Sequence, residues 1–365
     1  MKLQINRHEL GEGLSAAGIV TAVRTPKPIL QCVLIEARED CCVLKATDLE
    51  LGLHYTVTQA EVLEKGAVLV SAEKLLQIVR ESGEETLLIE TDESQCHVRG
   101  RDSHFQIVMQ NVAEFPPVPV MEGAADLEVE AKELRRLVEW TVFAAARENS
   151  RYAIHGVLWE RDGGKLLLTA TDGRRLSHAE GQVSGEAGPA LRAIVPIRAM
   201  NLFLRVLSDT DPLVGVKISG TQVFLRSPRA TVSSALVEGQ FPRYQDVIPT
   251  DSDKKAELSR AEFLSAIRQA AVLTNEESKT VRLSFSSEEL TLTSRAPEEG
   301  EATVKLLSAY QGEPIDIGFN PVFLVDILKV AESDRVTLEM KSSSRPGIVR
   351  SGPDLLYVVM PVNLS

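Results

Sequence analysis

The sequence lacks most of what marks a catalytic, metal-binding or membrane protein. No apolar run approaches the ~20 residues of a membrane span. Cysteine is scarce: Cys32, Cys41, Cys42 and Cys96 are the only four, and all lie in the first third. None forms a Cys-x-x-Cys pair, which argues against zinc. Cys41 and Cys42 are adjacent in a strand-like stretch and so point to opposite faces, and buried, reduced thiols are expected. No phosphate-cradling loop precedes a helix. Gly163-Gly164-Lys165 is a hairpin turn before a strand, which argues against an ATP-driven machine. The histidines, His8, His54, His97, His104, His155 and His178, show no H-x-x-x-H spacing and no Ser-His-Asp constellation. No cofactor, no metal and no catalysis are therefore expected. The segment from Met1 to Arg7 has the pattern of a strand, not of a secretory leader, so a cytoplasmic location is expected.

What the chain does contain is a repeat. Ala46-Thr47-Asp48-Leu49 returns as Ala170-Thr171-Asp172-Gly173 after 124 residues, and Phe115-Pro116 returns as Phe241-Pro242 after 126. Val70-Ser71 returns as Val195-Pro196 after 125, and Phe319 of Gly318-Phe319 holds the place of Val195 124 later. With 365 residues, 44% of them hydrophobic and 25% charged, the chain has the composition of an ordinary globular protein with room for two or three domains. The repeat selects three. Turn-forming residues cluster at Phe115–Val120 and Ile248–Lys255, which puts the domains at 1–122, 123–250 and 251–365. Tandem copies point to a ring or an array more than to a single pocket.

Each copy opens with a strand and an amphipathic helix. In the second, Leu134, Leu137, Val138, Thr141, Val142 and Ala145 fall on one stripe of a helix over 131–147, with Lys132, Arg135, Arg136 and Glu139 on the other side. The third matches, with Phe263, Ala266, Ile267 and Ala270 inside and Arg260 and Arg268 outside. A hairpin follows at Gly156–Ala170, then a second helix over 197–208 that buries Met200, Phe203, Leu204 and Leu207 and turns Arg198, Asn201 and Arg205 outward. The fold class is α+β: three tandem copies, each with two helices and antiparallel sheets.

The net charge of −12 argues against nucleic acid, but its distribution does not. The six expected helices (7–21, 72–82, 131–147, 197–208, 259–273, 320–332) hold 12 Lys/Arg and 9 Asp/Glu; the remainder holds 28 and 43. An acidic body with relatively basic helices suits a polyanion held on one surface. A competing reading makes Asp48, Asp92 and Asp172 the carboxylates of a metal-dependent nuclease or nucleotidyl transferase. Asp48 and Asp172 hold the same place in different copies, however, and turn formation is the expected role of each. Two stretches remain beyond plain packing: Thr171-Asp172-Gly173-Arg174-Arg175-Leu176, and the uncharged C-terminus after Tyr357, whose residues beyond Pro361 would be free to line a groove for a peptide.

Together these motifs, with Lys27-Pro28-Ile29-Leu30, Gly239-Gln240-Phe241-Pro242-Arg243-Tyr244, Ile317-Gly318-Phe319-Asn320 and Val358-Val359-Met360-Pro361, resemble the bacterial sliding-clamp family, the beta subunit of DNA polymerase III, over the whole length. The resemblance implies a clamp domain repeated three times, a head-to-tail homodimer closed into a ring, and double-stranded DNA threaded through it without sequence reading. It implies a non-catalytic processivity role, loading by a separate ATP-dependent clamp loader, and docking of the replicative polymerase and repair proteins through short apolar peptides. Arg24, Tyr152, Arg198 and Arg205 match positions near DNA, where mobile long side chains would touch phosphate. Ile154, Thr171, Gly173, Arg174, Arg175, Leu176, Pro242, Val247, Val358, Met360, Pro361 and Val362 match the peptide cleft, with Asn320, Phe323 and Ser344 at its rim. Phe105, Val272 and Leu273 match the subunit interface. The chain departs from the family pattern at Ala153, Asp246, Asn363 and the additional Ser365, which bears on one DNA contact and on peptide preference. A Gln-Leu-x-Leu-Phe-like peptide is the expected ligand.

Overall fold

Helices form where the apolar period is 3.6, and they stop where a strand-forming or turn-forming residue intervenes. The computed structural model describes residues 1–21, 25–147, 153–184, 190–274, 280–296 and 299–364. Among them are α1 (Arg7–Thr21), α2 (Ala72–Glu81), α3 (Ala131–Thr141), α4 (Ile197–Val206), α5 (Arg260–Ala271) and α6 (Pro321–Val330). α2, α4 and α6 begin at Ser71, Pro196 and Asn320, which follow one another at 125 and 124 residues. The Ser71 and Asn320 side chains accept backbone N–H bonds from Lys74 and Val322, which satisfies donors that the first helical turn leaves open.

α3 is shorter than its apolar stripe. It ends at Thr141 and gives way to a 3-10 turn over Val142–Ala144. The Thr141 hydroxyl donates back to the carbonyls of Leu137 and Val138, which competes with helix propagation at a β-branched pair. The polar side of α3 is not simply solvated either. Arg135 pairs with Asp209, and the Arg136 guanidinium lies 4.5 Å over the Trp140 ring.

The chain divides into two compact units although the sequence repeats in three. One holds Met1–Arg135, Val183–Gly188 and Val195–Leu236; the other holds Arg136–Gln182, Pro189–Ile194 and Val237–Ser365. Sheet continuity explains the division. In the first unit, strand Ala230–Ala235 of the second copy pairs antiparallel with strand Leu51–Val57 of the first, inside an eight-stranded sheet. In the second unit, strand Leu355–Val359 of the third copy pairs with strand Arg175–Gln182 of the second, inside a nine-stranded sheet. The two seams are equivalent: Gly52 faces Ser233 as Leu176 faces Val358. A five-stranded sheet ends on strand His104–Val108, and a four-stranded sheet ends on strand Gly300–Leu307.

The repeated Thr-Asp pair makes the same turn twice. Thr47 Oγ1 donates to the carbonyl of Leu51 and accepts from the N–H of Leu49, while Asp48 Oδ1 accepts from Glu50 and Leu51. Thr171 and Asp172 repeat all four bonds with Arg175, Gly173 and Arg174. Both turns need a left-handed residue, supplied by Gly173 at φ 85° and by Leu49 at φ 82°. Leu49 is the only non-glycine residue with positive φ among those described.

Burial follows the pattern at most positions, although Val142 and Leu204 are only partly buried. Phe263, Ala266, Ile267 and Ala270 are buried on α5, as are Met200 and Phe203 on α4. α1 approaches its sheet closely at Gly13, where a Cβ would stand 2.6 Å from Tyr55 and 2.7 Å from Leu44. The four cysteines carry free thiols; Cys32, Cys42 and Cys96 are buried and Cys41 is partly exposed. Among the described residues no helix is long and apolar enough to cross a membrane.

Candidate functional site

The turn at Thr171–Arg175 presents a wall of an apolar cavity in the second unit. Leu176 points from the start of the following strand, Val358 from the strand paired with it, and Ile154 from the segment before strand Gly156–Asp162. These pack with Ala153, Leu158, Ile194, Phe241 and Tyr244 in one cluster. Above the cluster lies a cavity of about 210 Å³. Its lining includes ten of the residues assigned to the cleft: Ile154, Thr171, Gly173, Arg174, Arg175, Leu176, Pro242, Val247, Val358 and Met360. Val247 and Met360 leave large apolar surface in solvent, at 50% and 42% exposure, as a docking face requires.

Arg175 fixes the wall. Its Nε donates to Asp172 Oδ2 at 3.0 Å, Nη1 to Asp326 Oδ2 at 2.7 Å, and Nη2 to the Phe143 carbonyl at 2.8 Å. The guanidinium lies 4.6 Å from the centre of the Phe323 ring, so that side chain flanks Arg175. The Tyr357 hydroxyl donates to the Phe323 carbonyl, and burial pushes the ionisation of that phenol up. Arg175 is thus a buried strut, whereas Arg174 beside it is exposed. Asn320 caps α6.

Pro361 and Val362 lie beside a second depression, with Ser344, Asp316, Ser343, Asn363 and Leu364. The tail after Pro361 is not free, contrary to the expectation from its composition. The Val362 N–H donates to the Gly318 carbonyl at 2.8 Å. Leu364 packs so closely on Gly318 that a Cβ there would stand 2.6 Å from it. An apolar terminus that finds a bare glycine backbone gains burial and a hydrogen bond, which offsets fraying.

Sequence reasoning missed two residues of the cavity lining, Arg243 and Tyr244. Tyr244 is buried; its hydroxyl donates to Glu160 Oε2 at 3.0 Å, and its ring stacks on His178 at 5.4 Å. An aromatic residue after Phe-Pro in a linker was the available signal. Asp326, 151 residues from Arg175, left none.

In the first unit, Arg198 and Arg205 lie on α4. Arg205 is exposed. Arg198 is not a mobile side chain: its Nη1 donates to Asp48 Oδ2 at 2.5 Å and its Nη2 to the carbonyls of Ile19 and Val20 at 3.2 and 3.1 Å. The last turn of α1 supplies carbonyls that have no helical partner, and a cation suits them. Arg24 and Tyr152 lie outside the described residues. Phe105 is exposed on the edge strand His104–Val108, at 38%. In the second unit, Val272 is 72% exposed just past α5, and Leu273 is partly buried.

The three aspartates of the competing reading are each held by partners of their own. Asp48 and Asp172 are engaged in their turns and with arginine, and Asp92 accepts from the N–H groups of Ser94 and Gln95 and from His97 Nε2. Those bonds, that of Ser94 foremost, hold the Asp92 carboxyl down to about 2. No group of three His, Cys, Asp or Glu side chains among the described residues is placed to hold a metal ion.

A triplicated α+β chain whose seams are continuous sheets, with an apolar cavity at one seam, defines a clamp-type binding protein. Models of the N-terminal, central and C-terminal domains of the DNA polymerase III beta subunit match residues 1–119, 128–243 and 245–363. The chain belongs to that family: it is a sliding clamp, and a non-catalytic subunit. It is 33% identical over 365 residues to the beta sliding clamp of Chlamydia pneumoniae, covering 100% of this chain and 99% of that one. The beta sliding clamp of Escherichia coli is 29% identical over 367 residues, with 100% of each chain covered. Among solved structures, the beta subunit of Thermotoga maritima superposes with a TM-score of 0.91 at 28% identity. The Pseudomonas aeruginosa clamp bound to griselimycin does so at 0.89 and 30%, each with full coverage of both chains.

Proposed function

We propose that this chain acts in DNA replication as a processivity factor, with two copies closing head to tail into a ring around duplex DNA. The observation that carries the proposal is the uninterrupted succession of beta-subunit domains along the chain, over 1–119, 128–243 and 245–363. The working domain limits are 1–122, 123–250 and 251–365, and the working compartment is the cytoplasm. Ring closure draws support from two sheet edges with exposed apolar residues: Phe105 and Val108 on one, and Leu307, 82% exposed, on the other. Arg24, Tyr152, Arg198 and Arg205 are the proposed DNA-facing residues, and they act on phosphate without reading bases. The replicative polymerase, the clamp loader and repair proteins dock short apolar peptides in the cavity between Leu176 and Met360, with Phe105, Val272 and Leu273 at the subunit interface.

The ring is tested on a nicked circular plasmid with loader and ATP. The clamp should stay on the circle and leave when the plasmid is linearised, because release from an end is topological. Ordinary electrostatic binding would survive linearisation and fall with salt. A native mass of one chain at working concentration would defeat the ring reading. For the cavity, a Gln-Leu-x-Leu-Phe-like peptide should bind Met360→Ala about tenfold more weakly, the ~1.4 kcal/mol scale of a truncated apolar contact. Equal affinity would remove Met360 from the site.

A further inference from the structure

Asp48 does two things at once. Oδ1 closes its turn, accepting from Glu50 and Leu51 at 3.0 and 2.7 Å. Oδ2 is left over and takes the guanidinium of Arg198 at 2.5 Å. The equivalent Asp172 also has its Oδ2 left over, and it takes Arg175 from its own turn. In the first copy position 51 is leucine, so the spare oxygen is open to an arginine 150 residues away on α4. The exposures of the pair are unequal: the Asp48 side chain is 8% exposed and that of Arg198 42%. The cation therefore faces solvent with a nearly buried carboxylate behind it, and the Ile19 and Val20 carbonyls add partial negative charge at the end of α1.

We propose that Asp48 is a positioning and charge-masking residue for Arg198, and that it keeps the grip of this arginine on the DNA backbone weak. The proposal rests on the reading that Arg198 faces DNA. A phosphate approaching Arg198 meets an ion pair of no net charge, held in one orientation, in place of a free cation on a flexible stem. Such a pair releases little counterion and adds little to the salt dependence of binding. Its fixed guanidinium still offers N–H groups to a passing phosphate oxygen. Weak, orientation-locked contact keeps drag low when the same surface must pass one phosphate after another.

The test uses the full-length protein and a short blunt DNA duplex, with affinity followed by fluorescence anisotropy across a low-salt series. Asp48→Asn keeps the oxygen that closes the turn and removes the charge. It should bind more tightly, and its plot of log affinity against log salt should steepen by up to about 0.9 per subunit. Asp48→Ser, which also retains a turn-closing oxygen, should behave alike and guards against a folding defect peculiar to one variant. Adding Arg198→Gln to Asp48→Asn should return the slope to the parent value or below. If Asp48→Asn and Asp48→Ser keep the parent slope while the double variant falls below it, Arg198 meets DNA but Asp48 does not mask it, and the proposal is overturned. If the double variant matches Asp48→Asn, Arg198 does not meet DNA, and the reading beneath the proposal fails with it.

Discussion

Replacing Arg175 by methionine should be among the costliest single changes in the second unit. The side chain ties the turn of the second copy to Asp326 on α6 at 2.7 Å and to the Phe143 carbonyl at 2.8 Å, and it holds Asp172 of its own turn at 3.0 Å. Only 9% of Arg175 is exposed, and the Asp172 and Asp326 side chains are 20% and 26% exposed. Breaking a fully buried pair costs about 3–5 kcal/mol, because a charge is left without its partner. Water reaches both carboxylates here, which lowers the expected loss to about 2–4 kcal/mol. Methionine fills part of the volume over Phe323, so lost packing adds little. Urea denaturation of the parent, Arg175→Met, Asp326→Asn and the double variant gives a cycle with an expected coupling of about 1–3 kcal/mol. The Arg175→Met variant should also lose peptide affinity, because the cavity wall carries Thr171, Gly173 and Leu176 on the same turn and strand. Coupling near zero, or a variant within about 0.5 kcal/mol of the parent, would show that this network does not hold the wall.

Three other outcomes are expected. Leu49→Gly should stabilise the first unit by about 0.5–1 kcal/mol, the balance of left-handed strain and the entropy of glycine, whereas Leu49→Ala should gain nothing; equal melting of the two variants refutes this. Burial, the largest influence on His178, holds its pKa below the usual value, with Thr169, Tyr244 and Glu180 around the ring. The unfolded chain therefore takes up this proton first, and stability should fall as pH drops below about 6.5; His178→Gln should flatten that part of the melting profile, and an unchanged profile would exclude His178 as its source. Burial pushes the Cys42 and Cys96 thiols up to about 12, so native alkylation should label Cys41 first and leave those two until unfolding, as mass spectrometry would show; labelling of Cys42 ahead of Cys41 would contradict their burial.

The repeat, the two helices per copy and the Thr-Asp turns were legible because each rests on local physics. Apolar period places α4 and α5, and an aspartate followed by backbone donors closes the same turn at Asp48 and Asp172. What was not legible depends on contacts distant in sequence. Nothing near Arg198 announces that Asp48 will hold it, and nothing near Arg175 announces Asp326. The tail after Pro361 looked free because the glycine that receives it, Gly318, is known only from the fold. The division into two units was hidden as well. A repeat marks where copies begin, whereas compactness follows the seams at which sheets of neighbouring copies join.

The seams of a triplicated chain need not carry the same site, and the apolar cavity described above lies at the second. The satellite cores beside them match: Leu34 and Leu158, Leu69 and Ile194, Phe115 and Phe241 are paired at offsets of 124, 125 and 126. The linker after each Phe-Pro runs past a histidine in both. At the second seam Tyr244 stacks on His178; at the first, the Val118 carbonyl lies 3.1 Å from His54 Nε2. The difference lies in the floor. Leu176 and Val358 face each other across the second seam, and their places at the first are taken by Gly52 and Ser233. A Cβ on Gly52 would stand 2.5 Å from Ser233 Oγ and 2.7 Å from Val118 Cγ1, so the glycine lets the linker lie directly on the sheet. There Val118 occupies space that a peptide side chain would need. At the second seam Leu176 and Val358 instead line the cavity together with Pro242, Tyr244 and Val247 of the linker. The side chains at two paired positions therefore set apart two otherwise equivalent seams, and symmetry in the sequence need not mean symmetry in the sites.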